Sequence, residues 1–221
     1  VVGYGSWYFE ESAAGDKTES NDFGAATRDI LASHGTTLLH SGAAAILAHL
    51  SGSGPMRLSL AEFADPLRDH GACFVTLNKA GQLRGCIGSI QAWRPLITDV
   101  AENACKAAFQ DNRFAKLTRD EIESDDVTMS ISVLSPQSPM HFSSEADFLD
   151  QLQPGVDGIV LQEGQKRGVF LPVVWDQLPD RQKFLSHLKR KAGMPEDYWS
   201  DTLQAWRYVT EGISSKDLPP D

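Results

Sequence analysis

The residues whose types and spacing could best do chemistry are Leu83-Arg84-Gly85-Cys86-Ile87-Gly88. In a strand, side chains alternate, so Arg84, Cys86 and the bare position Gly88 are expected to share one face. Two strand positions separate the Arg84 and Cys86 Cα atoms by roughly 6.8 Å, close enough for a guanidinium to favour the reactive thiolate. Two glycines weaken a strand, and the usual compensation is close approach by another backbone or by a ligand. The run therefore has two readings. It is an anion-attracting patch centred on a thiol, or a small buried cysteine in a tightly packed sheet with Arg84 reaching solvent. Downstream, Asp111-Asn112-Arg113-Phe114 offers a guanidinium that could clamp a carboxylate or phosphate, with Asp111 orienting it. A local ion pair in a helix-ending turn is the alternative.

Other chemistry-bearing patterns are sparse. There is no Gly-x-Ser-x-Gly, no Gly-x-x-x-x-Gly-Lys, no His-Glu-x-x-His and no Cys-x-x-Cys. No two histidines are three or four residues apart, so neither a metal nor another cofactor is expected. His141 and His187 are the histidines from which a distant base could come. Lys189-Arg190-Lys191 is the only basic run and reads as a solvated helix end.

These residues need elements to position them. Leu38, Leu39, Ala43, Ile46, Leu47 and Leu50 recur at helical spacing, which predicts a helix over 37–50, stopped by Gly52-Ser53-Gly54-Pro55. Strands are expected over 72–77 and 83–90, joined by the turn Asn78-Lys79-Ala80-Gly81. Arg94-Pro95 opens a helix to about Gln110, and Thr118 with Glu121 forms a capping-box pattern. Residues 127–134 alternate, with Val127, Met129, Ile131 and Val133 facing one way and Thr128, Ser130 and Ser132 the other. A helix begins at Ser144, a second hairpin turns around residues 163–167, and Phe184, Leu185 and Leu188 form the stripe of a further helix. Trp206 to Val209 reads as a closing strand. Helices and hairpins interspersed in this way predict an α+β fold with mainly antiparallel sheets flanked by helices.

The 221 residues carry 20 Lys+Arg against 30 Asp+Glu, a formal charge of −10, so nucleic-acid binding is not expected. Three cysteines, Cys73, Cys86 and Cys105, are too few and too far apart for a disulfide framework, which points to a reducing, cytoplasmic setting. No apolar run approaches the roughly 20 residues of a membrane helix, and no membrane association is expected. The chain starts on Val1 without a signal-peptide pattern, as a processed or partial chain would.

The hexapeptide 83–88 resembles the signature of the AMMECR family, called AmmeMemoRadiSam system protein A in bacteria and archaea. Asp111-x-Arg113-Phe114, Ile131-Ser132-Val133-Leu134, Asp157-Gly158-Ile159, Phe170-Leu171-Pro172-x-x-Trp175 and Lys191-Ala192-Gly193 match in family order, over about 37–212. The resemblance implies two lobes, each with an antiparallel sheet, the smaller inserted into the larger, and a cleft beside the signature strand. It also implies action with a Memo-like protein and a radical S-adenosylmethionine enzyme, without supplying a reaction. Val1-Val2-Gly3-Tyr4-Gly5-Ser6-Trp7 is similar to the last strand of Memo-like proteins. The expected organisation is therefore a tail and linker over 1–36, with 1–12 the remnant of a fused domain. The family domain follows over 37–212, then a tail over 213–221. In that frame Cys86 is the candidate nucleophile or covalent carrier, and Arg84 and Arg113 anchor a small anionic ligand. Gly85 and Gly88 are the bare positions beside that ligand, and Asp111 orients a neighbour. The alternative is a non-catalytic partner or scaffold module in which the same strand is a docking or structural element.

Overall fold

In a computed structural model, residues 23–54, 56–124 and 126–218 are described, and the Memo-like stretch lies outside them. The chain forms two units, one running to Leu134 and resuming at Glu211, the other comprising Ser135–Thr210. The first unit begins with helices α1 (Ala25–Leu50) and α2 (Asp65–Arg68) and strands β1 (His70–Gly71), β2 (Cys73–Lys79), β3 (Gln82–Gly88) and β4 (Arg94–Pro95). Helices α3 (Leu96–Phe109) and α4 (Arg119–Glu123) and strand β5 (Val127–Leu134) follow. The second unit holds β6 (Ser138–Met140), α5 (Glu145–Gln151), β7 (Gly158–Glu163), β8 (Lys166–Phe170), α6 (Arg181–Lys191) and β9 (Gln204–Tyr208), after which β10 (Thr210–Ser214) rejoins the first sheet. The fold is α+β and its described strand pairs are antiparallel, as the patterning predicted.

In the first unit the strand order is β10-β5-β2-β3. Cys73, Val75 and Leu77 on β2 and Met129, Ile131 and Val133 on β5 form one buried face, packed with Leu38, Leu39 and Ile46 of α1 and Ile97, Val100 and Ala104 of α3. Each such aliphatic side chain taken from water contributes about 1.5–3 kcal/mol. The β2–β3 turn is Ala80-Gly81, both at positive φ (49° and 79°), the geometry that matches the twist of a two-residue hairpin. Pro95 caps α3 and Thr118 makes the expected capping box with Glu121.

Helix α1 begins at Ala25 rather than Thr37, so residues 25–36 are not linker. Gly35, Ser41, Gly42 and Ala45 are buried along it, and a Cβ at Gly35 would lie 2.3 Å from Ile213. Within 25–36 the buried residues are Thr27, Leu31 and Gly35, which leaves no apolar stripe to read there. Arg28 pairs with Glu211 at 2.6 Å, tying the start of α1 to β10. The expected C-terminal tail is likewise ordered structure, because β10 runs to Ser214 and Ile213 and Leu218 pack on the core.

In the second unit the order is β6-β9-β7-β8, around a core including Phe148, Leu152, Ile159, Leu161, Phe184, Leu185 and Leu188. Trp175 stacks on Phe184 with ring centres 3.7 Å apart, and its indole N–H donates to the Asp157 carbonyl. Ser135 and Val209 close the unit: the Ser135 N–H donates to the Val209 carbonyl, and the Val209 N–H to Ser135 Oγ. Lys189 departs from the solvated-end reading. It is fully buried, with its ammonium 3.0 Å from Glu145 and 5.5 Å from the centre of the Trp199 ring.

Candidate functional site

Strand β3 lies at the sheet edge, and its pairing decides where the signature side chains go. Gly88, Ile87, Cys86 and Gly85 oppose Phe74, Val75, Thr76 and Leu77, and then Leu83 opposes Asn78, leaving Arg84 as the extra residue of a bulge. Cys86 therefore joins Thr76, and through Thr76 the opposed Ser130 of β5, on the polar face of the sheet. The Cys86 N–H donates to Asp111 Oδ2 at 2.9 Å, and Arg113 Nη2 donates to the Cys86 carbonyl at 3.3 Å. Those peptide groups point away from β2, so the Cys86 and Thr76 side chains sit at the closer of the two antiparallel spacings. Thr76 Oγ1 accordingly donates to Cys86 Sγ at 3.3 Å.

Arg84 does not act on the thiol. The bulge breaks the alternation, and its Nε and Nη2 both donate to Glu121 of α4 at 3.0 Å. Lys79 reaches the same carboxylate at 3.2 Å, and the Thr118 N–H adds a fourth contact. The Arg84 hydrogen bonds foremost, opposed by partial burial and aided by Thr118 and Lys79, hold the Glu121 carboxyl down at about 2. Nε and Nη2 of Arg84 are thus taken up by Glu121, while its buried Nη1 makes no hydrogen bond among the described residues. Arg113 is paired as well, with Nε and Nη2 on Asp111 at 2.9 and 2.6 Å, while its Nη1 makes no hydrogen bond among the described residues.

The thiol is not activated. Burial foremost, with the Asp111 charge, pushes the half-buried Cys86 above the ordinary thiol value against the opposing Thr76 hydrogen bond and Arg113 charge. The expected thiolate is therefore a neutral thiol near pH 7. Burial raises Cys105 too, and raises Cys73 further with help from Asp99. Burial also opposes ionisation of Asp111, but hydrogen bonds from Arg113 and from the Cys86 N–H outweigh it and keep the carboxylate ionised.

Both signature glycines are filled against by the protein itself. A Cβ at Gly85 would lie 2.2 Å from the Ala107 carbonyl oxygen of α3, and one at Gly88 would meet the Phe74 ring at 2.3 Å and the Cys73 carbonyl at 2.6 Å. Behind them, buried Asp99 accepts from the Cys73 N–H, Ser89 Oγ, Arg94 Nε and Asn103 Nδ2, fixing the ends of β2 and β3 to α3. What remains open is a groove of about 270 Å³ on the polar face, lined by Thr76, Asn78, Ser130, Ser132, Ser214 and Asp217 among others. The alternation of Thr128, Ser130 and Ser132 was a legible signal for this face. Nothing in the sequence placed Thr76 on Cys86 or Glu121 on Arg84.

A sequence profile of the AMMECR1 family matches residues 41–213. The chain belongs to the AMMECR1 family. AMMECR1-family relatives include a protein of Methanothermobacter thermautotrophicus, 39% identical over 168 residues, which are 76% of this chain and 86% of that protein. Protein MJ0810 of Methanocaldococcus jannaschii is 30% identical over 185 residues, covering 80% of this chain and 88% of its own. The crystal structure of uncharacterized protein PH0010 from Pyrococcus horikoshii superposes with a TM-score of 0.67 at 26% identity, over 80% of this chain and 89% of that one. Among the described residues no three His, Cys, Asp or Glu side chains gather as a metal site, and no helix is long and apolar enough to cross a membrane.

Proposed function

We propose that this AMMECR1-family chain binds a small polar ligand on the hydroxyl-rich face of its first sheet, with Cys86 at the rim. One observation carries the reading. Cys86, Thr76 and Ser130 form a cross-strand row, and Thr76 and Ser130 open onto a groove where the hydroxyls of Ser132 and Ser214, the Asn78 amide and the Asp217 carboxylate stand beside Ile131 and Ile213. Hydroxyls and amides serve as both donors and acceptors and suit a ligand rich in hydroxyl or amide groups. Arg113 Nη1 is the guanidinium edge left beside Cys86 for an acidic substituent, whereas Arg84 is turned to Glu121. Cys86 serves as a recognition group that can be made reactive if a ligand brings a base, since no base contacts it in the free protein. Action beside a Memo-like protein and a radical S-adenosylmethionine enzyme belongs to this proposal, supported by the family resemblance alone.

The docking-edge alternative is disfavoured at Cys86, where Asp111 and Arg113 occupy the backbone positions that an added strand would need. Disulfide capture at equilibrium tests the ligand reading, because the small thiolate fraction of a neutral thiol suffices for exchange given time. A library of small disulfide-bearing fragments is incubated with the protein under mild reductant, and the captured masses are mapped to Cys73, Cys86 or Cys105. Hydroxyl- and amide-bearing fragments should be enriched at Cys86, weakened by Thr76→Val or Ser130→Ala and unchanged by Arg84→Ala. Capture at Cys86 with no fragment preference, or insensitive to the two hydroxyl deletions, sinks the proposal.

A further inference from the structure

We infer that the second unit carries a separate binding site for a small organic cation of the alkylammonium type. The site is a cavity of about 470 Å³ between residues 139–143, at the short edge strand β6, and residues 199–206 leading into β9. That volume falls within the range of small-molecule pockets. Phe142, Trp199 and Trp206 line it, with the Phe142 and Trp199 ring centres 5.5 Å apart and their planes inclined at 58°. Rings inclined in this way can turn more than one π-face toward a shared space, where a cation is attracted by the ring quadrupoles.

Charge supplies the second, independent argument. Asp201 is the carboxylate in the lining, His141 is the other ionisable side chain, and no Lys or Arg lines the cavity. Behind Ser200 and Thr202 lies Glu163, which accepts the Thr202 hydroxyl at 2.7 Å. An anion entering here would face a carboxylate with no cation to balance it. An alkylammonium gains both the carboxylate and the rings. The same chain already shows one ring used in this way, since the Lys189 ammonium sits 5.5 Å from the centre of Trp199. Lys189 is paired with Glu145 at 3.0 Å and does not line the cavity, so its charge is balanced without the ligand.

The probe is choline, titrated into the ¹⁵N-labelled full chain and followed at the tryptophan indole N–H resonances. The Trp199 and Trp206 signals should shift saturably, while those of Trp93 and of Trp175, whose indole is bonded to Asp157, stay put. Asp201→Asn and Trp206→Ala should each weaken choline roughly three- to tenfold, and Trp206→Phe should restore most of the loss. The uncharged isostere 3,3-dimethylbutan-1-ol should bind more weakly by a similar factor. Should Trp206→Ala fail to fold, exposed Asp201, the isostere and Trp206→Phe still decide the matter. No saturable shift at Trp199 and Trp206, equal binding of the isostere, or an Asp201→Asn variant that binds choline unchanged would overturn the inference.

Discussion

Arg84 and Arg113 look alike in the sequence, yet each is held by a different carboxylate, Arg84 by Glu121 and Arg113 by Asp111. Arg84 is the clearer case, because Glu121 takes its guanidinium from two sides and adds Lys79. Glu121 also brings a pH dependence whose sign is fixed. Its carboxyl falls from the ordinary 4.5 to about 2 on folding, so its stabilisation is complete above pH 4.5 and is lost as pH drops towards 2. Glu121→Gln should cost roughly 1–2 kcal/mol at pH 7, a figure kept small because the pair is partly solvated. Urea unfolding at pH 7 and pH 3 checks this: the gap between wild type and variant should shrink at the lower pH. An equal gap at both would show that Glu121 does not titrate with folding. Cys86 obeys the same logic in reverse, since burial outweighs the Thr76 hydrogen bond and the Arg113 charge and leaves it a neutral thiol.

At the scale of elements, the decisive feature is the closeness of β3 to α3. The strand can approach only because Gly85 has no side chain, where a Cβ would lie 2.2 Å from the Ala107 carbonyl oxygen. That neighbour is backbone and cannot swing aside. Gly85→Ala should therefore lower the thermal midpoint by roughly 4–10 °C, through a strand shift costing about 1–3 kcal/mol. Gly212→Ala is the control in the same sheet, since its Cβ would stand 3.8 Å from the Ile131 carbonyl oxygen, an ordinary contact. Equal midpoints for the two variants would show that the strand–helix gap is looser than described. The bulge at Arg84 belongs with this argument, because it ends the register that Gly85 begins and turns Arg84 from the thiol to α4.

For the whole molecule, two separate cores matter more than the total of 221 residues. The second unit encloses its own aromatic and aliphatic cluster, and Ser135 and Val209 hydrogen-bond its two ends together. A segment whose ends already meet can be inserted into another domain at little cost to either. Residues 135–210 expressed alone should then unfold cooperatively in urea and give a dispersed amide spectrum. Broad resonances with strong dye binding, the marks of a collapsed but unpacked state, would show that this core needs the rest of the chain.

The sequence by itself determined the α+β class, the hairpins, the α3 and α4 starts and the family, because alternation, turn residues, capping pairs and a six-residue signature are local. It also separated the aliphatic face of β5 from its hydroxyl face, the wall of the proposed groove. It did not yield the first half of α1, whose buried residues are Thr27, Leu31 and Gly35, with one large aliphatic side chain among them and so no hydrophobic period. Nor did it yield the partners of the signature. Strict alternation put Arg84 beside Cys86, and one bulged residue was enough to send the guanidinium to a carboxylate 37 positions away. Register, burial and the identity of a charge's nearest neighbour are set between segments distant in the chain. Only the tertiary structure could decide that Cys86 is a neutral thiol bonded to Thr76 rather than a thiolate beside Arg84.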